Sequence, residues 1–124
     1  MPMEQDSRLP VRFGGAAETI GSAALLIEDG ATAAEAAPVT APVARFALPA
    51  TSHRLGCACC LPRGPAAQAF GRLFLARARG EVPPFDSVVA VTRSAAGRAA
   101  VFAALEDDVL TQARFRLAPD QPTA

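Results

Sequence analysis

At 124 residues the chain suits one small domain, and twelve basic residues balanced by twelve acidic ones leave no surplus positive field with which to grip nucleic acid. Every basic residue is arginine, so any chemistry that needs a lysine is excluded. Hydrophobic residues make up 51%, but much of that is alanine, and the aromatics are seven Phe with no Trp or Tyr, so a thin core is expected.

The opening stretch, MPMEQDSRLP, is polar and carries Glu4 and Asp6, and so does not read as a secretory signal. The aliphatic run AALLI at 23–27 is far too short to span a bilayer. These features point to a cytoplasmic protein with neither membrane nor nucleic acid as partner. In a reducing compartment, clustered cysteines indicate metal binding or catalysis ahead of disulfides.

Two short apolar patches, Leu9–Phe13 and Ala23–Ile27, have strand character but little period. Residues 31–50 are rich in Ala and Pro, and Pro38, Pro42 and Pro49 forbid a continuous helix there. Within that stretch only Val43–Leu48 reads as a strand. Pro62, Gly64 and Pro65 form a turn, with Pro65 suited to the first position of a helix. The helix that follows places Ala66, Ala69, Phe70, Leu73 and Phe74 on one side, and Gly80 is its expected stop.

Val88–Thr92 is a β-branched run without alternation, suited to a strand covered on both faces of a parallel sheet. A second helix is expected from about Arg98 through Leu105, with Glu106–Asp108 either breaking it or starting a short helix to Ala113. RFRL at 114–117 is ambiguous. The order of loop, helix, buried strand and helix is an α/β signature: a small, mainly parallel sheet with flanking helices.

All three cysteines, Cys57, Cys59 and Cys60, fall within the pentapeptide GCACC. A bridge between adjacent cysteines closes a strained ring. Three thiols in one loop can instead converge on a soft or borderline cation, Zn²⁺ above all. The loop precedes a helix N-terminus and is flanked by Arg54 and Arg63, both of which favour thiolates. A tetrahedral site wants a fourth ligand. His53, the only histidine, lies four residues ahead of Cys57, and a carboxylate or water would serve equally.

GCACCLPRG, followed by a helix, then ARGEVPPFDSVVAV and VLTQARFRL, resembles the CobW family of GTP-dependent metal chaperones. These are P-loop GTPases linked to zinc and cobalt handling and to cobalamin synthesis. Their Gly-Cys-x-Cys-Cys motif stands here as Gly56, Cys57, Ala58, Cys59 and Cys60. Upstream, FGGAAETIGSAALLIEDG looks like the family's switch region, and the resemblance makes Glu18 a candidate metal ligand. The family's further acidic residue has no counterpart, since Arg12 and Phe13 stand there.

The pattern departs from the family where nucleotide is handled. No G-x-x-x-x-G-K-[ST] loop occurs, and a chain without lysine cannot supply the side chain that neutralises the β- and γ-phosphates. Where the family strand ends in an acidic residue and a Thr-Gly turn, this chain reads Val91, Thr92, Arg93, Ser94. The resemblance stops near Leu117, ahead of the family's guanine-specificity motif and C-terminal domain. With cradle, lysine and acid gone together, nothing remains to position and stabilise a phosphoryl transfer.

The resemblance thus implies a partial P-loop-GTPase-like domain: residues 1–52 a degenerate switch-region-like segment with an Ala/Pro-rich linker, 53–117 the α/β core with the cysteine loop, and 118–124 a tail. The implied activity is binding of Zn²⁺ or Co²⁺ as a chaperone or buffer, with no GTP bound or hydrolysed. Its partners would be the ion and either a full-length CobW-type protein or a metalloprotein client. The rival readings are a non-catalytic module pairing with a full-length CobW-type GTPase through sheet edges left by a missing first strand, and a gene remnant without function.

Overall fold

A computed structural model describes residues 7–14, 22–31, 41–48 and 64–119. Along the chain they form β1 (Leu9–Phe13), β2 (Ala23–Glu28), β3 (Val43–Phe46), α1 (Pro65–Ala78), β4 (Ser87–Val91), α2 (Ala95–Asp107), α3 (Val109–Arg114) and β5 (Phe115–Leu117). The strands make one five-stranded sheet in the order β3-β2-β4-β1-β5, and every pairing is parallel. The architecture is α/β, consistent with a small Rossmann-like or P-loop-like domain.

The two apolar runs are the centre of this sheet because neither of their faces meets water. β2 is buried at all six positions and β4 at four of five. Ala24, Leu26, Val88 and Ala90 face the cluster built with α1 and α2, while Leu25, Ile27, Val89 and Val91 form a second cluster with Ala23 and Ala31. A strand buried on both faces carries a continuous apolar run in place of alternation. Strands from before residue 52 (β1–β3) and after it (β4, β5) interleave in this one sheet. Leu9–Phe13 fills an inner position between β4 and β5, so among the described residues the edges of the sheet are β3 and β5.

α1 has the expected bounds, for local reasons. Pro65 opens it, where a missing N–H costs nothing. At its end the Glu81 N–H reaches the Ala76 carbonyl (2.9 Å) and the Gly80 N–H reaches that of Arg77 (3.2 Å). This double closure needs a left-handed residue, and Gly80 supplies it with φ 73°. The Arg77 guanidinium then donates to the Phe85 carbonyl (2.7 Å) and lies 5.5 Å from the centre of the Phe85 ring, fixing the approach to β4.

α2 begins three residues before the expected Arg98, because Ser94 caps it: the Ser94 hydroxyl accepts from the Gly97 N–H at 2.9 Å. Asp108 resolves the alternative at 106–108 by doing both jobs. It ends α2 and caps α3, its carboxylate accepting from the Thr111 N–H (3.0 Å) and the Thr111 hydroxyl (2.7 Å). Thr111 is only 1% exposed, so its hydroxyl has no water to fall back on. Asp108→Ala should therefore lower stability by about 1–2 kcal/mol, and Asp108→Asn by well under half of that. Urea denaturation of the two variants side by side checks this, and an unchanged midpoint in Asp108→Ala would show that the cap is unimportant.

The ambiguous RFRL becomes β5 through pairing with β1, Leu9 opposite Phe115 and Val11 opposite Leu117, and the Ala118 N–H donates to the Val11 carbonyl at 2.8 Å. Among the described residues, no helix is long and apolar enough to cross a membrane.

Candidate functional site

In a parallel sheet, ligands are received at the carboxyl ends of strands, where neighbouring strands send the chain onward in opposite directions. Here β2 leads toward β3 on one side, while its neighbour β4 leads toward β5 on the other. The residues at this reversal are Glu28 at the end of β2 with Asp29 and Gly30 after it, and Thr92, Arg93 and Ser94 after β4.

Their arrangement is closed on itself. Glu28 is 3% exposed. One carboxylate oxygen accepts from the Arg93 N–H at 2.7 Å and the other from the Ser94 hydroxyl at 2.8 Å. The Ser94 hydroxyl in turn accepts from the Gly97 N–H, so the carboxylate is linked through the cap to the first turn of α2. The unpaired N–H groups and dipole of a helix N-terminus favour an anion there, and this chain supplies its own.

The turn after β2 locks the arrangement. The Ala31 N–H donates to the Glu28 carbonyl at 3.0 Å, and Gly30 sits at φ 93°, in the left-handed region. The Arg93 guanidinium donates back to the Asp29 carbonyl at 2.8 Å and passes so close over Gly30 that a side chain there would overlap it. On the flank, the Arg98 guanidinium lies 4.1 Å from the centre of the Phe13 ring and 5.3 Å from that of Phe102, tying α2 to the end of β1.

A carboxylate thus stands beside the end of β4 after all, contributed by β2. Of the residues after β4, Arg93 and Ser94 hold that carboxylate, and none of Thr92–Ser94 carries one of its own. Sequence reading misses Glu28, although one signal is available: it is the only charge at the end of an otherwise apolar buried run. A charge in such a place must find partners.

Comparison with known family models, with curated proteins and with solved structures returns no match.

The residues singled out as metal ligands, Cys57, Cys59, Cys60, Glu18 and His53, all lie outside the described residues. The chain is described up to Leu48, just past β3, and again from Gly64, which directly precedes α1. Gly64, Pro65, Ala66 and Ala67 share a groove of about 390 Å³ with the Ala100–Asp108 side of α2, where Asp107 and Asp108 are the acidic residues. Among the described residues, no three His, Cys, Asp or Glu side chains come together as a metal site.

Proposed function

We propose that this chain is a CobW-like metal-binding protein of the cytoplasm, holding Zn²⁺ or Co²⁺ through Cys57, Cys59 and Cys60 and taking a fourth ligand from Glu18 or His53. The observation that carries the reading is the density of thiols: three within four residues, directly ahead of a Pro-initiated helix. Three thiolates with an imidazole or carboxylate form a donor set that a tetrahedral zinc ion accepts without strain. The chain would act as a buffer or donor, passing the ion to a metalloprotein client or to a full-length CobW-type protein.

Nucleotide is not part of this function. Two observations support its exclusion: the absence of any lysine for a phosphate cradle, and the occupation of the α2 N-terminus by Glu28. A γ-phosphate there would have to displace a buried carboxylate already bonded through both oxygens.

The test is elemental analysis of protein purified under reducing conditions, beside a Cys57→Ser/Cys59→Ser/Cys60→Ser variant. The expected result is close to one zinc or cobalt per chain, lost in the triple variant and lost from the parent on acidification, since the ligating thiolates must be deprotonated. Equal metal content in parent and variant would end the proposal. Separately, titration with GTP in the presence of Mg²⁺ should produce no saturable signal, and a measurable affinity would refute that half of the reading.

A further inference from the structure

Four large hydrophobic side chains stand exposed among the described residues: Val43 at 43%, Leu75 at 42%, Val109 at 76% and Leu110 at 45%. They fall in two patches. Val43 and Leu75 border a groove of about 600 Å³ between β3 and α1, whose walls carry Arg45, Arg72 and Arg79 against a single acid, Glu81. Val109 and Leu110 form the corner where α2 gives way to α3, directly after Glu106, Asp107 and Asp108. One patch is an apolar groove rimmed by cations, the other an apolar knob rimmed by anions.

Within one molecule the two patches are separate, and neither Val109 nor Leu110 lines the groove. β3 is one edge of the five-stranded sheet, and α3 runs directly into β5, the other edge. Four strand spacings, about 19 Å, separate those edges.

The β3 edge beside the groove is also obstructed to an added strand at Arg45. The Pro42 and Phe46 carbonyls accept from the Leu25 and Asp29 N–H groups of the β2 side, so the Arg45 carbonyl between them points outward. Arg72 reaches across from α1 and donates to that carbonyl at 2.6 Å. Covering an edge carbonyl with a charged side chain blocks strand-to-strand pairing. It leaves side-chain recognition as the way to fill the groove.

We propose that copies of this chain associate head to tail, the Val109–Leu110 corner of one seated in the β3–α1 groove of the next. Burial of the apolar pair against Val43 and Leu75 supplies the contact. Pairing of Glu106 and Asp107 with the groove arginines sets its orientation. Each copy offers its knob to one neighbour and its groove to another, so the head-to-tail contact extends into a ring or a short chain. This association is independent of metal and of the cysteines.

The test is sedimentation equilibrium of the full chain over a hundredfold range of concentration, with a reductant and a chelator present so that neither disulfides nor metal can link copies. The weight-average mass should rise with concentration, and the rise should shrink in high salt. Val109→Arg places a cation against the basic groove, and Leu75→Glu an anion against the acidic knob. Each alone should weaken self-association at least about tenfold. Mixed one to one, the two should associate again, because the first keeps an intact groove and the second an intact knob. Both positions are exposed, and far-UV circular dichroism checks the fold. Should either charged variant not fold, Val109→Ser and Leu75→Ser make the same comparison with a smaller effect. A parent that stays monomeric throughout, variants that associate like the parent, or a mixture that fails to regain association would each overturn the proposal.

Discussion

Phe115→Ala should cost about 3–5 kcal/mol of stability, the upper end of what one core truncation can remove, and leave the protein with little net stability. Phe115 is 1% exposed and stands at the centre of a ring cluster, 4.7 Å from Phe70 and 6.2 Å, edge-on, from Phe74. The Arg114 guanidinium covers the outer face of that cluster, 4.3 Å from the Phe74 ring centre. Alanine forfeits both aromatic pairings and leaves a cavity that two helices and a sheet cannot collapse to fill.

The position matters as much as the volume. Phe115 is the first residue of a three-residue strand, and its packing holds β5 against β1. Much of the remaining core is alanine, with Ala24, Ala44, Ala66, Ala67, Ala69, Ala90 and Ala104 all buried, so few other side chains carry comparable area. A domain of this size has a net stability of about 5–15 kcal/mol, and a core this poor in large side chains places it low in that range. The check is the urea midpoint of Phe115→Ala beside that of Phe115→Leu, for which about 1–2 kcal/mol is expected. A loss below about 1 kcal/mol for the alanine variant would show that β5 is dispensable to the fold.

What can be read from the sequence divides by the range of the forces involved. The two central strands and α1 are legible because their causes are local: an unbroken apolar run for a strand buried on both faces, and Pro65 and Gly80 bounding the helix. The start of α2 is hard to place because Ala95 and Ala96 carry no amphipathic signal. Only the Ser94 cap marks the boundary. RFRL is ambiguous because nothing within those four residues makes it a strand. Its partner β1 lies more than a hundred positions away.

The same distinction applies to the candidate sites. The cysteine cluster stands out in the sequence by residue identity alone, and it lies outside the described residues. The role of Glu28 is hidden because its partners, Arg93 and Ser94, are 65 and 66 positions distant. The consequence is physical: the chain puts a carboxylate of its own at the N-terminus of α2, where an anion would otherwise dock.

Gly97→Ala should expose that arrangement through the sign of its effect. In an ordinary helix the change raises stability by up to about 1 kcal/mol, because alanine is the better helix former. Here a Cβ at Gly97 would overlap the Glu28 carboxylate, both oxygens and the carbon between them. Glu28 is buried and cannot swing into water, and moving it strands the Arg93 N–H and the Ser94 hydroxyl, at about 1–3 kcal/mol for each donor left unsatisfied. The clash outweighs the propensity, and a net loss of about 2–4 kcal/mol is expected. In a Glu28→Ala background the obstruction is gone, and the same Gly97→Ala change should become neutral or mildly stabilising. The coupling between the two sites, measured by denaturation of all four proteins, should therefore reach about 2–5 kcal/mol. Glu28→Ala alone should do something the parent does not: with the helix N-terminus released, its melting temperature should rise with added inorganic phosphate, as an anion takes the vacated place. Additive effects of the two substitutions, or a phosphate response equal in parent and variant, would mean that Glu28 is not the anion that fills the N-terminus of α2.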